Sequence, residues 1–208
     1  MRRPNPDTCR RCPLGGEGPC RDCVDTLGPE PLVWHPSGVD GIRVLGRYER
    51  AAGRLVRGLK FANRRTPVAA LAVALADIGP DPAPTVVTWV PSTVRRRSRR
   101  GVEHTALLAR AVARRLGVPA RRLLLRAPGR AQSERDLVSR RRGPRLRARR
   151  VPAGTAVLVV DDVVTTGTSL ATAASALRRA GATRVTAVAV AAATPDGGRR
   201  RHAAATTG

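Results

Sequence analysis

Val157-Leu-Val-Val-Asp-Asp-Val-Val-Thr-Thr-Gly-Thr-Ser169 joins an apolar run, two adjacent carboxylates and a hydroxyl-rich loop in one short segment. The continuous apolar stretch from Ala156 to Val160 reads as a buried strand, and Asp161 and Asp162 stand where it ends. Thr168 to Ala180 has helical spacing with Gly181 as its stop, and Val185 to Val190 is apolar again. Strand, helix and strand in this order predict a βαβ unit, and therefore a parallel sheet.

Working outward, Thr85-Val-Val-Thr-Trp-Val-Pro91 is β-branched, short and stopped by proline, as a buried strand would be. A basic loop follows. Glu103 to Leu116 reads as a helix, with Leu108, Val112 and Leu116 on one face and Gly117 as its C-cap. Leu123 to Leu125 suggests another short strand, and Val39 to Tyr48 an earlier one. The leucines at 55, 59, 71 and 75 predict helices between Arg50 and Leu75, broken near Pro67, with a loop from Asp77 to Pro84. Ala127 to Arg150 is polar and rich in arginine, so a mobile excursion is expected there. The expected architecture is α/β, a parallel sheet flanked by helices over residues 39–193. A small cysteine-bearing piece over residues 1–30 precedes it, and a disordered tail over 194–208 follows.

The formal charge is +24, and from Arg95 to Arg150 there are 20 arginines against Glu103, Glu134 and Asp136. Such a local surplus points to a polyanionic partner, single-stranded DNA among them. Lys60 is the only lysine, however, so the arginine excess also matches what a GC-rich coding sequence favours. Aromatic platforms for stacking bases are few: Trp34, Tyr48, Phe61 and Trp89. No stretch reaches the roughly 18 apolar residues of a membrane span, and the first residues lack a signal peptide's apolar centre. The expectation is a soluble cytoplasmic chain.

In open α/β sheets ligands bind at the carboxyl ends of strands, where Asp161 and Asp162 would emerge. Adjacent carboxylates can accept hydrogen bonds from vicinal ribose hydroxyls, directly or through a divalent cation. Thr165-Thr-Gly-Thr-Ser169 would supply hydroxyls and inward-turned amides for a phosphate at the positive end of a helix. The spacing fits a sugar phosphate. The chain lacks both the G-x-x-x-x-G-K-[ST] loop of ATP-binding proteins and a G-x-G-x-x-G after a strand. A magnesium-binding acid pair alone would not explain the threonine loop, and two acids with four hydroxyls exceed what helix capping needs.

Cys9-x2-Cys12-x7-Cys20-x2-Cys23 presents two knuckles whose four thiolates can reach one tetrahedral Zn²⁺. Four sulfur ligands leave no open position, which favours a structural site, with redox thiols and incidental cysteines as the alternatives.

The segment from Val157 to Ser169 closely resembles the phosphoribosyl pyrophosphate motif of type I phosphoribosyltransferases. With the four-cysteine knuckle, the whole chain resembles the ComF family, which includes proteins required for DNA uptake. The family's middle pattern appears as Val90-Pro91, then Arg100-Gly101, then Gln132; the usual Phe-Asn-Gln after Arg100-Gly101 is replaced by Val102, Glu103 and His104. The resemblance implies that Asp161 and Asp162 contact ribose hydroxyls and that Thr165, Thr166, Gly167, Thr168 and Ser169 bind the 5-phosphate. It further implies Mg²⁺-bound phosphoribosyl pyrophosphate as ligand and transfer of phosphoribosyl to a nitrogen nucleophile, with Asp161 and Asp162 as the catalytic pair. Arg95 and Arg100 are the candidates for pyrophosphate contacts, against the plainer reading of a solvated charge run. His104 reads as a solvated or capping residue rather than a base. The alternative function is a non-catalytic competence protein that binds DNA or a helicase partner.

Overall fold

The computed structural model describes residues 24, 27, 32–34, 38–48, 51–61, 66–91, 103–126 and 145–193. Its elements are β1 (Leu32–Trp34), β2 (Gly41–Arg47), α1 (Ala51–Phe61), α2 (Thr66–Asp77), β3 (Val86–Trp89), α3 (His104–Leu116), β4 (Leu124–Arg126), β5 (Leu146–Ala148), β6 (Ala156–Val164), α4 (Thr168–Arg179) and β7 (Arg184–Ala192). One sheet has the order β1-β2-β7-β6-β3, and β4 and β5 form a separate pair. Within the sheet β2, β7, β6 and β3 run parallel, and only β1 is antiparallel, to β2. The sequence expectation of a parallel sheet flanked by helices therefore holds.

The unbroken apolar runs of β6 and β7 have a simple cause, because both faces of these strands are covered. On one face Val157 and Val159 pack with Leu170, Ala173, Ala174 and Leu177 of α4 and with Leu124 and Leu146 of the β4–β5 pair. On the other, Leu158 and Val160 pack with Val56 and Leu59 of α1, Leu71 and Leu75 of α2, and Leu108 and Val112 of α3. Leu158, Leu59, Leu71 and Leu108 are fully buried, and each such side chain stabilises the fold by about 1.5–3 kcal/mol.

The helix ends follow their residues. Pro67 falls in the first turn of α2, where a missing N–H costs nothing, so the break precedes it. α3 stops at Gly117, which takes φ 70, while the Val118 amide returns to the Ala113 carbonyl at 3.0 Å. Beyond α4, Gly181 has φ 111, and a Cβ there would meet the Val151 carbonyl oxygen at 2.6 Å. Only glycine lets the chain pass that closely.

Two elements depart from expectation. β1 was not foreseen, and the arginine-rich excursion contains a strand: β5 pairs with β4 through Leu124↔Ala148 and Arg126↔Leu146. Leu146 and Leu124 supply the buried contacts that hold this pair against α4. The four cysteines of the knuckle, residues 127–144 of the excursion with Gln132, and the tail from residue 194 lie outside the described residues.

Candidate functional site

β3 and β6 are neighbours, yet the chain leaving β3 goes on to α3 on one face while the chain leaving β6 becomes α4 on the other. Where adjacent parallel strands send their connections to opposite faces, a crevice opens at their carboxyl ends. The β3 to β6 ladder ends at Trp89↔Val160. β6 continues beside β7 through Asp161↔Ala189 and Val163↔Ala191 to Val164↔Ala192. The strand thus runs four residues past the Val160 expected as its end, and Asp161 and Asp162 belong to the part that outruns β3. Pro91, with no amide hydrogen, cannot carry the shorter ladder further.

Both carboxylates are half-buried. Asp161 Oδ1 accepts the backbone N–H of Asp162 at 2.8 Å, which holds the first carboxylate close to the strand.

The turn into α4 is built by Gly167, whose φ of 75 and ψ of −3 are left-handed. Most residues pay about 1–2 kcal/mol there, which explains the glycine. A left-handed residue followed by helical ones turns successive amides toward the same side, forming an anion-binding concavity. The N-cap residue, Gly167, brings no side chain to cap α4. Thr166 and Thr168 share a hydroxyl hydrogen bond of 2.7 Å, and the Thr168 N–H donates weakly to Thr166 Oγ1 at 3.4 Å. Because one bond between two hydroxyls uses only one of their two protons, the other can be donated to an incoming oxygen. Thr165 and Thr166 are exposed, Thr168 and Ser169 are half-buried, and Gly167 is buried.

The sequence-predicted residues Asp161, Asp162 and Thr165 to Ser169 therefore follow one another along the end of β6, the turn after it and the start of α4, acceptors first and donors second. An α-helix start carries roughly half a positive charge, so the turn is polarised along its length. Its chemistry suits a ligand with hydroxyls at one end and an anion at the other. Glu103 is the N-cap residue of α3 without a side-chain cap bond, and His104 opens the helix; both are half-buried. Arg95 and Arg100 lie outside the described residues.

Sequence reasoning missed Trp89, the last residue of β3. It is buried, its Nε1–H has no hydrogen-bond partner, and the Arg110 guanidinium lies 5.7 Å from its ring centroid. An orphaned indole donor at the end of β3, packed in the core with α3, could not be read from a β-branched run. The chain after α3 also turns back along β3: Val87 N–H reaches Pro119 O and Arg121 N–H reaches Val87 O, both at 2.9 Å. Arg126 Nε then donates to Pro91 O at 3.1 Å, which ties β4 to the same end of the sheet.

A family model described as the phosphoribosyl transferase domain matches residues 103–207, just over half of the chain. Among solved structures, similarity extends to the glutamine phosphoribosylpyrophosphate amidotransferase of B. subtilis, with 25% identity over 64% of this chain and a TM-score of 0.46. The match spans 30% of that enzyme's own length. The adenine phosphoribosyltransferase of Leishmania tarentolae is similar at 15% identity, over 68% of this chain and 76% of its own, with a TM-score of 0.42. For the orotate phosphoribosyltransferase of Aeropyrum pernix the values are 22%, 66%, 76% and 0.40. No curated protein matches the sequence.

Proposed function

This chain belongs to the phosphoribosyl transferase domain family, and from that membership we propose that it binds Mg²⁺-bound phosphoribosyl pyrophosphate at the β6–α4 turn and transfers the phosphoribosyl group to a nitrogen nucleophile. The observation that carries this reading is the polarised turn itself, with two carboxylates in the part of β6 beyond β3 and an uncapped helix start a few residues later. Asp161 and Asp162 accept the ribose hydroxyls, while the amides and hydroxyls from Thr165 to Ser169 hold the 5-phosphate.

The all-oxygen donor set at Asp161 and Asp162 fits Mg²⁺, a hard cation that keeps most of its waters. When bound with the substrate, the cation supplies charge neutralisation for the departing pyrophosphate. The chain's own residues orient the ribose and fix the phosphate, so that the anomeric carbon faces the nucleophile. Arg95 and Arg100 are proposed to contact the pyrophosphate, and the sequence of Val102, Glu103 and His104 makes that side differ from the ComF pattern.

The division into a knuckle over 1–30, a transferase-like unit over 39–193 and a tail over 194–208 is part of the same proposal. So are membership of the ComF branch, structural Zn²⁺ on Cys9, Cys12, Cys20 and Cys23, and a cytoplasmic location. Among the described residues no helix is long and apolar enough to cross a membrane.

Calorimetric titration with phosphoribosyl pyrophosphate, with and without Mg²⁺, tests the reading. Binding that needs Mg²⁺ and collapses in Asp161→Asn with Asp162→Asn is the expected result, whereas equal affinity in that double variant would overturn the site. Pyrophosphate release with a defined amine or nitrogenous base would establish transfer.

A further inference from the structure

The β4–β5 pair divides its residues by chemistry. Along β5 and its flanks the order is Arg145 exposed, Leu146 buried, Arg147 exposed, Ala148 half-buried and Arg149 exposed. This is a period of two, with leucine turned to α4 and arginine turned to water. Across the pair, Leu125 stands opposite Arg147, whereas Arg126 stands opposite Leu146 and donates to Pro91 O, so the outward row is carried by β5 and its flanks alone. Residues 121–126 and 145–150 contain no Asp or Glu.

Coding bias accounts for the abundance of arginine but not for its strict alternation along β5, where positions 145, 147 and 149 all carry it. A stable fold does not require it either, since neutral polar residues would solvate the hairpin equally well, and the like charges repel. Alternate strand residues stand roughly 6.5 Å apart, so Arg145, Arg147 and Arg149 form a row of forked donors suited to successive phosphates. We propose that the outer face of the β4–β5 pair is a docking surface for the phosphate backbone of double-helical nucleic acid.

Two observations select a duplex over a single strand. The described part of this face carries no aromatic side chain on which unpaired bases could stack, and a duplex packs about one charge per 1.7 Å of its axis. The inner face is sealed against α4 through Leu124 and Leu146, so the ribbon lies flat along phosphates rather than entering a groove. Binding is indifferent to sequence and independent of the β6–α4 turn.

The test compares two triple variants of the full chain that carry equal charge. Arg145→Gln, Arg147→Gln and Arg149→Gln remove the row, while Arg114→Gln, Arg115→Gln and Arg179→Gln remove exposed arginines at the ends of α3 and α4. Fluorescence anisotropy with a short duplex DNA of arbitrary sequence, over a range of salt, should show tight binding that weakens steeply as salt rises. The row variant should lose roughly tenfold or more in affinity, with the log–log salt slope reduced by about three, as three lost phosphate contacts require. The control variant should stay within about threefold of the parent. Equal losses in both variants would reduce the effect to net charge and overturn the proposal. It fails equally if the row variant binds as the parent does, if the single strand is preferred, or if phosphatidylserine vesicles displace the duplex. Should the row variant unfold, Arg147→Gln alone, read by the same slope with an expected change of about one, decides the matter.

Discussion

The β6–α4 turn and the β4–β5 pair are both built against α4, one leading into its first turn and the other covering its flank, yet they treat charge in opposite ways. The turn uses few charges and orders them: two carboxylates, then amides and hydroxyls fixed by Gly167. The hairpin repeats one charge at alternate positions of β5 and orders only the side on which Arg145, Arg147 and Arg149 stand. Directional groups give selectivity for one small molecule, whereas an even row of guanidinium groups gives salt-sensitive affinity for any extended polyanion. Two binding modes can then coexist on one scaffold without sharing a residue.

The sharpest way to break that separation is to neutralise the acid pair. Asp161→Asn with Asp162→Asn should weaken Mg²⁺-dependent binding of phosphoribosyl pyrophosphate about 100-fold, near 2.7 kcal/mol, in calorimetry. Duplex retention should be unaffected, and a parallel fall in both would show that the regions are one site.

The seam between the two regions is tested next. Val151, which follows the hairpin, donates its amide to Ala180 O at 2.9 Å and leaves no room for a side chain at Gly181. Gly181→Ala should cost about 2 kcal/mol, from the left-handed φ together with the clash. For a chain of this size that lowers the unfolding temperature by roughly 4–8 °C, measurable by calorimetric scanning.

A smaller effect is expected at the turn. Gly167→Ala keeps every polar group but strains φ by about 1 kcal/mol, so phosphoribosyl pyrophosphate affinity should drop roughly fivefold while duplex binding stays constant. Smallest of all, Gln at 145, 147 and 149 should change stability by no more than about 0.5 kcal/mol, because exposed substitutions away from special features seldom do more. Thermal unfolding of that variant checks whether the arginines serve the fold or only its surface.

The legibility of the two regions in the sequence differs for the same physical reasons. β6, α4 and β7 could be located because burial on both faces demands uninterrupted apolar runs, and Gly117 and Gly181 mark helix ends through a conformation other residues avoid. The site residues were visible because carboxylates, threonines and a glycine in that order have few structural uses. What stayed hidden depended on partners distant in the chain. β5 is three residues whose strand character comes from Leu124 to Arg126, and the abundance of arginine masked its period of two. The extension of β6 through Asp161 to Val164 came from pairing with β7, which outweighs the poor strand preference of aspartate. The insertion of β7 between β2 and β6 has no local signature at all.

One consequence follows from the unequal lengths of β3 and β6. With the β3–β6 ladder ending at Trp89↔Val160 and Pro91 lacking a hydrogen to donate, the pairing of β6 past this point is with β7 alone, a matter of residue count rather than of chemistry. Lengthening the shorter strand by a pair of residues, or replacing that proline, would let its ladder advance toward Asp161 without altering a single one of the proposed binding residues. On the proposed function, strand length would then set the space offered to the ribose independently of the groups that bind it.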